Sequence, residues 1–391
     1  MSALRRTWSL IDGPLSAVVA LIIALGLVNL YSATRVAPKG MFSSQLMWMA
    51  IGVVLLVGVA LLDQQLLKRL AWPGYLGVTG LLAAVLVVGK VVNGSRRWFG
   101  WGSFGIQPSE LMKLSLILLG AHLFSSDPKD MSLRPWRYAL LWHGLWIVPA
   151  LLILKQPDLG TALLCGLLAL SVFFLVPLPP RLKGWVATVG LSGAFLIVRF
   201  GLKEYQKKRL LTFLHPELDP TGTGYHARQA LFAIGSGRLT GKGYLRGTQN
   251  HLQFLPEHWT DFPFAVWAEE WGLVGCLALL VLYLLLILWT IHLANAARDR
   301  FGRFCAIGCG SLLFWHVAIN IAMVIGVAPV VGVTPLGSRS WPRSALMISP
   351  ERLLCSKWLR TKWRSAPTRS DHSGPRYDAS NEGETSSISV P

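Results

Sequence analysis

The sequence predicts an all-α polytopic membrane protein with about nine transmembrane helices and one long extracytoplasmic loop over residues 201–261. Hydrophobic residues make up 53% of the 391 residues and charged residues only 14%, whereas a soluble domain carries about a quarter charged residues. Several apolar runs reach the roughly 20 residues that a helix needs to cross a bilayer. The long polar stretch is too long for a simple connection, and such loops are usually functional or disordered.

The apolar runs place the candidate spans along the chain. They cover Leu15–Tyr31, Leu46–Leu62, Leu70–Gly89, Leu111–Phe124, Ala139–Leu154, Thr161–Val176, Trp185–Phe200, Phe264–Trp289 and Cys305–Val331. The fourth to sixth runs are short, which indicates helices that are packed in protein rather than facing lipid throughout.

Lys and Arg in the short loops indicate the orientation. If the N-terminus, with Arg5 and Arg6, lies inside, the inner segments carry more Lys and Arg than the outer short loops. This orientation puts the long loop outside. The formal charge of +18 is better explained by loops beside anionic headgroups than by a nucleic-acid partner. The five cysteines are scattered without acids or histidines at ligand spacing, so they predict no metal site.

Carboxylates cluster where the long loop enters the eighth run. Asp261 sits directly before this run, and Glu269 and Glu270 lie one to two turns inside it. A carboxylate at the mouth of a membrane helix is costly to hold, which makes it a functional-site candidate. The alternative is an acid that caps the helix N-terminus.

Two further groupings lie on the same predicted side of the membrane. Glu110 and Lys113 are three residues apart, hence neighbours on a helix, and the alternative interpretation is a structural ion pair. Asp158 lies in a Pro–Gly turn that directs it towards the fifth and sixth spans, and the alternative is an N-cap of the sixth span.

Basic residues on this side include Arg97, Arg209 and Lys242. Fixed cations near a membrane surface suit a diphosphate, because Lys and Arg bind phosphate oxygens. The alternative is a solvated surface or one that contacts headgroups.

The order and wording of four stretches resemble the shape, elongation, division and sporulation (SEDS) proteins, the bacterial peptidoglycan glycosyltransferases RodA and FtsW. The stretches are GSRRWFGWGSFGIQPSELMKLSLIL, QPDLGTALL, YQKKRLLTFLHPELDPTGTGYHARQALFAIGSGRLTGKGYLRGTQNHLQFLPEHWTDFPFAVWAEEWGLVG and HVAINIAMVIGVAPVVGV. The third is more similar to the elongation member, RodA, than to FtsW. The resemblance covers roughly Leu15 to Thr334.

This resemblance implies about ten membrane helices with both termini in the cytoplasm. It also implies polymerisation of lipid II outside the bacterial cytoplasmic membrane, for cell elongation and shape. The expected partners are a class B penicillin-binding transpeptidase and other membrane proteins of the elongation complex. The family's essential aspartate falls on Asp261, its acid and lysine on Glu110 and Lys113, and a further aspartate on Asp158.

The chemistry of the reaction agrees with this assignment. The 4-hydroxyl of an acceptor sugar must displace undecaprenyl diphosphate from the donor's anomeric carbon, and a carboxylate such as Asp261 is the general base that this step needs. The leaving diphosphate needs positive charge, from Lys113, oriented by Glu110, and from loop cations such as Arg209, or from a divalent cation, Mg²⁺ or Mn²⁺. Asp158 is a candidate for positioning a metal or the acceptor. The metal ligands stay unknown, and no organic cofactor is expected.

The C-terminal sequence departs from the family pattern. Residues 1–334 form the expected membrane domain, whereas residues 335–391 lack an apolar run of spanning length where the family has its last helix. The Ser-, Arg- and Pro-rich composition after Glu351 predicts disorder. A change of reading frame near Thr334 would produce such a switch.

Two other functions use the same features. A flippase for lipid-linked precursors would use the same charged groove, but the inverted repeat that favours a transporter is not visible in the sequence. A non-catalytic scaffold for the transpeptidase would not need acids and cations gathered on one membrane face.

Overall fold

A computed structural model describes residues 13–35, 40–92, 95–101, 104–196, 199, 223–251 and 262–328. Two of the predicted site residues, Asp261 and Arg209, lie outside the described residues. So do most of the long loop and the whole of residues 335–391.

Each of the nine predicted spans falls on a helix of the described chain. These helices are α1 (Gly13–Thr34), α2 (Met41–Leu61), α3 (Gln64–Val88), α4 (Pro108–Ser126), α6 (Pro135–Lys155), α7 (Leu159–Leu175), α8 (Pro180–Leu196), α11 (Pro263–Ala296) and α12 (Arg300–Val324). The remaining helices are α5 (Pro128–Leu133), α9 (Thr223–Gly237) and α10 (Thr248–His251).

Five of these helices, α1, α3, α6, α11 and α12, are long and apolar enough to cross a membrane. Shorter apolar helices occupy Phe42–Leu55 and Leu159–Leu175. The predicted fold class, a helical multi-pass membrane protein, is thereby confirmed.

Three short strands between α3 and α4 were not predicted. They are β1 (Lys90–Val92), β2 (Ser95–Trp101) and β3 (Phe104–Ile106), paired antiparallel in the order β1-β2-β3. The strands β1 and β3 have only three residues each, and the seven residues of β2 do not strictly alternate between polar and apolar, which is the signal that identifies a strand. The sheet packs on the end of α3 and leads the chain directly into α4.

Helix α4 lies at the centre of the bundle, packed between α3 and α12. Near the C-terminal end of α4, the Phe124 ring packs on the Trp142 ring of α6, with the ring centroids 5.4 Å apart. The indole Nε1 of Trp142 in turn donates to the carbonyl of Ala169 in α7, at 3.0 Å. These contacts fix α4, α6 and α7 together, and they hold the polar first turns of α4 and α7 side by side.

Candidate functional site

A buried charged cluster lies in the first two turns of α4. The Lys113 Nζ is 2.9 Å from Glu110 Oε2, and the two side chains are only 4% and 14% exposed. The same Nζ is 3.1 Å from Nε2 of His316, which α12 supplies. Removing one partner of a buried ion pair costs about 3–5 kcal/mol, because the other charge stays buried without compensation. The ion pair of Glu110 and Lys113, which was the alternative interpretation of these two residues, is present, and His316 joins it as a third residue.

Asp158 lies beside this cluster, at the N-terminus of α7. Its side chain accepts hydrogen bonds from the Thr161 hydroxyl at 3.0 Å and from the Thr161 backbone N–H at 3.3 Å. The Gln107 amide, at the N-cap of α4, donates to Asp158 Oδ2 at 3.0 Å. Asp158 thus caps α7, as the alternative interpretation held, and it also connects the starts of α7 and α4. It is 1% exposed.

Arg97 extends from β2 over the turn that carries Asp158. Its guanidinium donates to the carbonyls of Gln156 and Pro157, at 3.1 and 2.8 Å. Its Nη1 lies 3.5 Å from Asp158 Oδ2, and the Arg97 side chain is 22% exposed. Arg97 therefore neutralises Asp158, and part of the Arg97 side chain stays accessible beside β2.

A second charged cluster forms around Glu269 on α11. Its Oε1 accepts from Lys242 Nζ at 2.6 Å, from the Thr248 hydroxyl at 3.0 Å and from the Gln249 backbone N–H at 3.1 Å. Lys242 also donates to the Thr248 hydroxyl at 2.7 Å. One buried carboxylate thus fixes the described end of the long loop to the membrane helix.

The neighbouring acid, Glu270, faces α1. Its Oε1 accepts from the Ser32 hydroxyl, and the Asn29 amide of the same helix donates to the carbonyl of Pro263, at 2.9 Å. Burial raises the pKa of Tyr244 in the adjoining loop, and the negative charge of Glu270 raises it further. The two adjacent acids therefore bind two different elements, the loop and α1.

Helix α11 is broken at Gly272, three residues after Glu269. Gly272 has φ 64° and ψ −164°, a conformation that residues with a side chain rarely adopt. The backbone groups released by the break bond to the loop after α9. The backbone carbonyls of Glu269 and Glu270 accept hydrogen bonds from the backbone N–H groups of Lys242 and Gly243, respectively. The backbone N–H groups of Leu273 and Val274 donate to the backbone carbonyls of Arg238 and Leu239, respectively. Non-helical backbone at membrane depth needs such partners in the protein.

The structure thus gathers Glu110, Lys113, Asp158 and Arg97 around the first turns of α4 and α7. It places Lys242 in the separate cluster on α11. Across the described part of the chain, no group of three or more His, Cys, Asp or Glu side chains is arranged to hold a metal ion.

Sequence reasoning assigned no role to three residues of these clusters, Gln107, His316 and Ser32. Gln107 stands in the QPSE motif, and its position directly before α4 was the available signal. His316 and Ser32 lie within apolar runs, where a polar residue is a weak sign of a buried contact.

Comparisons with known proteins agree with the resemblance. The family described as cell cycle protein (FtsW, RodA and SpoVE) matches residues 14–339. The chain is 44% identical over 313 residues to the peptidoglycan glycosyltransferase MrdB of Escherichia coli K12, a match that covers 79% of this chain and 82% of that protein.

Solved structures show the same similarity. A chain from a study of the structural coordination of polymerization and crosslinking by a peptidoglycan synthase complex matches with a TM-score of 0.74 and 33% identity, over 91% of this chain and 99% of that one. The rod shape determining protein RodA of Thermus thermophilus matches with a TM-score of 0.65 and 32% identity, over 91% and 98% of the two chains. The protein therefore belongs to the FtsW, RodA and SpoVE family of cell cycle proteins.

Proposed function

We propose that this protein is a peptidoglycan glycosyltransferase that polymerises lipid II into glycan strands during cell elongation. The observation that carries the proposal is the buried Lys113, held by Glu110 and His316 inside a bundle of apolar helices. A charge in such a place is costly and marks a functional site. The family relationship indicates which reaction it serves.

The proposed reaction joins two sugars in one displacement. The acceptor's 4-hydroxyl oxygen forms a bond to the donor's anomeric carbon, and the bond from that carbon to the diphosphate oxygen breaks. The bonding electrons leave with undecaprenyl diphosphate, and the hydroxyl proton goes to a base, for which we propose the Asp261 carboxylate.

Lys113 is the proposed partner of the diphosphate. An ammonium in a site of low polarity stabilises a phosphate oxygen more strongly than it would in water. Glu110 pairs with Lys113 at 2.9 Å and offsets part of the cost of burying its charge. The accessible part of the Arg97 side chain is available to bind polar parts of the same substrate.

The second cluster lies on the helix that follows Asp261 in the chain. Asp261 lies two residues before the start of α11 and eight before Glu269. Lys242 bonds to Glu269, so we propose that it anchors the loop rather than binding phosphate. Arg209 stays a proposed phosphate ligand. A divalent cation, Mg²⁺ or Mn²⁺, stays part of the proposal, held by one or two carboxylates together with the substrate's phosphate oxygens, and no step of the proposed reaction depends on it.

We propose the cytoplasmic membrane of a bacterium as the location, with the helix ends that carry both clusters on its outer side. The partner that we propose is a crosslinking transpeptidase of the class B penicillin-binding type. The support is the similarity to a chain from a peptidoglycan synthase complex that coordinates polymerization and crosslinking. Further membrane proteins of an elongation complex are proposed on the family relationship alone.

Purified protein in liposomes, given lipid II, tests the proposal. We expect glycan products on a denaturing gel from the wild-type chain and none from Asp261→Ala, because the displacement then lacks its base. The matched control is Asp63→Asn, since Asp63 is an exposed N-cap of α3 and Asn caps a helix equally well. Normal product from Asp261→Ala, at a folded yield equal to the control's, contradicts the assignment. Measuring lipid II translocation in the same liposomes separates a polymerase from a flippase.

A further inference from the structure

His316 meets Lys113 across the contact between α12 and α4. Its Nε2 lies 3.1 Å from the Lys113 Nζ, and the two residues are 8% and 3% exposed. A lysine ammonium has only donors, and the Glu110 carboxylate pairs with it at 2.9 Å. Nε2 must therefore accept, so the imidazole is neutral and carries its hydrogen on Nδ1. A protonated ring would instead repel the ammonium.

The ion pair with Glu110 does not by itself hold the Lys113 ammonium in one position. Glu110 lies on the same helix as Lys113, one turn away, and a lysine side chain is a flexible four-carbon stem. An acceptor from a second helix restricts the ammonium to one place. The two helices approach closely, since a Cβ at Gly308 of α12 would lie 2.8 Å from the Ile117 side chain of α4. His316, two turns further along α12, is therefore held at a fixed distance from α4.

We infer that His316 is a positioning residue that holds the Lys113 ammonium in place for the diphosphate of the lipid substrate. This inference rests on the proposed function and adds to it a residue from α12. What matters is a neutral acceptor at this position. Glutamine can replace the histidine in that role, because its side-chain oxygen accepts a hydrogen bond, whereas leucine fills the space without accepting.

The test compares five variants with the wild-type chain in lipid II polymerisation: two single variants of His316, Lys113→Met alone and together with His316→Leu, and a control. We expect His316→Leu to lower kcat/KM about tenfold or more, as for the loss of a hydrogen bond to a charged group, and His316→Gln to stay within about threefold of wild type. In a Lys113→Met background, His316→Leu should cause no further loss, because its effect passes through Lys113. The matched control is His143→Leu in α6, a histidine that packs on Phe173 at 4.9 Å between ring centroids, away from both clusters.

Three results would overturn the inference while leaving the proposed function intact. These are wild-type kinetics for His316→Leu, equal losses in His316→Leu and His316→Gln, or a further tenfold loss in the Lys113→Met background. A second measurement uses undecaprenyl diphosphate as the probe, with its affinity for each variant measured in nanodiscs. If the wild-type chain makes no glycan, the proposed function fails. Weaker binding of undecaprenyl diphosphate by His316→Leu than by the wild-type chain and His316→Gln would then still support His316 as the residue that positions Lys113. Equal affinities of the three chains would refute it.

Discussion

Replacing Glu269 by glutamine should loosen the long loop from α11. The carboxylate is 0% exposed and accepts three hydrogen bonds on one oxygen. The substitution keeps an acceptor oxygen but removes the charge opposite Lys242, 2.6 Å away. Breaking a fully buried pair costs about 3–5 kcal/mol, and the Lys242 side chain is 27% exposed, so water compensates part of the loss. We expect a destabilisation of about 2–3 kcal/mol.

Thermal unfolding in detergent, followed by intrinsic tryptophan fluorescence, measures this effect. A change of this size should lower the apparent melting temperature by several degrees. The matched control is Arg134→Gln, which breaks a surface pair of 3.7 Å in which the arginine side chain is 66% exposed. Such pairs contribute little, so its melting temperature should match that of the wild type.

The double variant Lys242→Met with Glu269→Leu separates the pair from its surroundings. Removing both charges leaves neither charge unpaired, although the Thr248 and Gln249 donors lose their acceptor, so the double variant should be more stable than the sum of its single variants predicts. Strictly additive losses, or a wild-type melting temperature for Glu269→Gln, would refute the reasoning that this ion pair fixes the loop.

Two further predictions concern backbone and capping. Gly272→Ala should sharply lower the yield of folded protein on size-exclusion chromatography, because a Cβ there would lie 2.3 Å from the Gly241 nitrogen at a φ of +64°. Gly26→Ala, with open space around its Cβ, should elute normally, and equal yields of the two would contradict the helix break. Asp158→Ala should lower the melting temperature through the loss of a helix cap, about 1–2 kcal/mol, together with the bond from Gln107. Asp158→Asn should recover most of the cap, and an Asp158→Ala variant that melts like wild type would show that this side chain does not hold α7 to α4.

The apolar runs were sufficient to predict a helical multi-pass membrane protein, because a bilayer demands about 20 apolar residues wherever a helix crosses it, and five of the described helices meet that demand. The ion pair of Glu110 and Lys113 could also be predicted, since three residues along a helix are always neighbours. The N-cap role of Asp158 follows from residue type and local position in the same way. Each of these features depends on contacts within a few residues of sequence.

Only the tertiary structure decided which distant residues complete the clusters. His316 reaches Lys113 across 203 residues of sequence, and Ser32 reaches Glu270 across 238. The helix break at Gly272 could not be predicted either, because the sequence of an apolar run does not indicate whether the φ of a glycine in it is helical or positive. Periodicity and composition indicate which residues of one helix are apolar. The contacts between distant residues depend instead on which helices pack together and on how far each is shifted along its axis. That is why the sequence predicted the charged residues but not the partners that hold them.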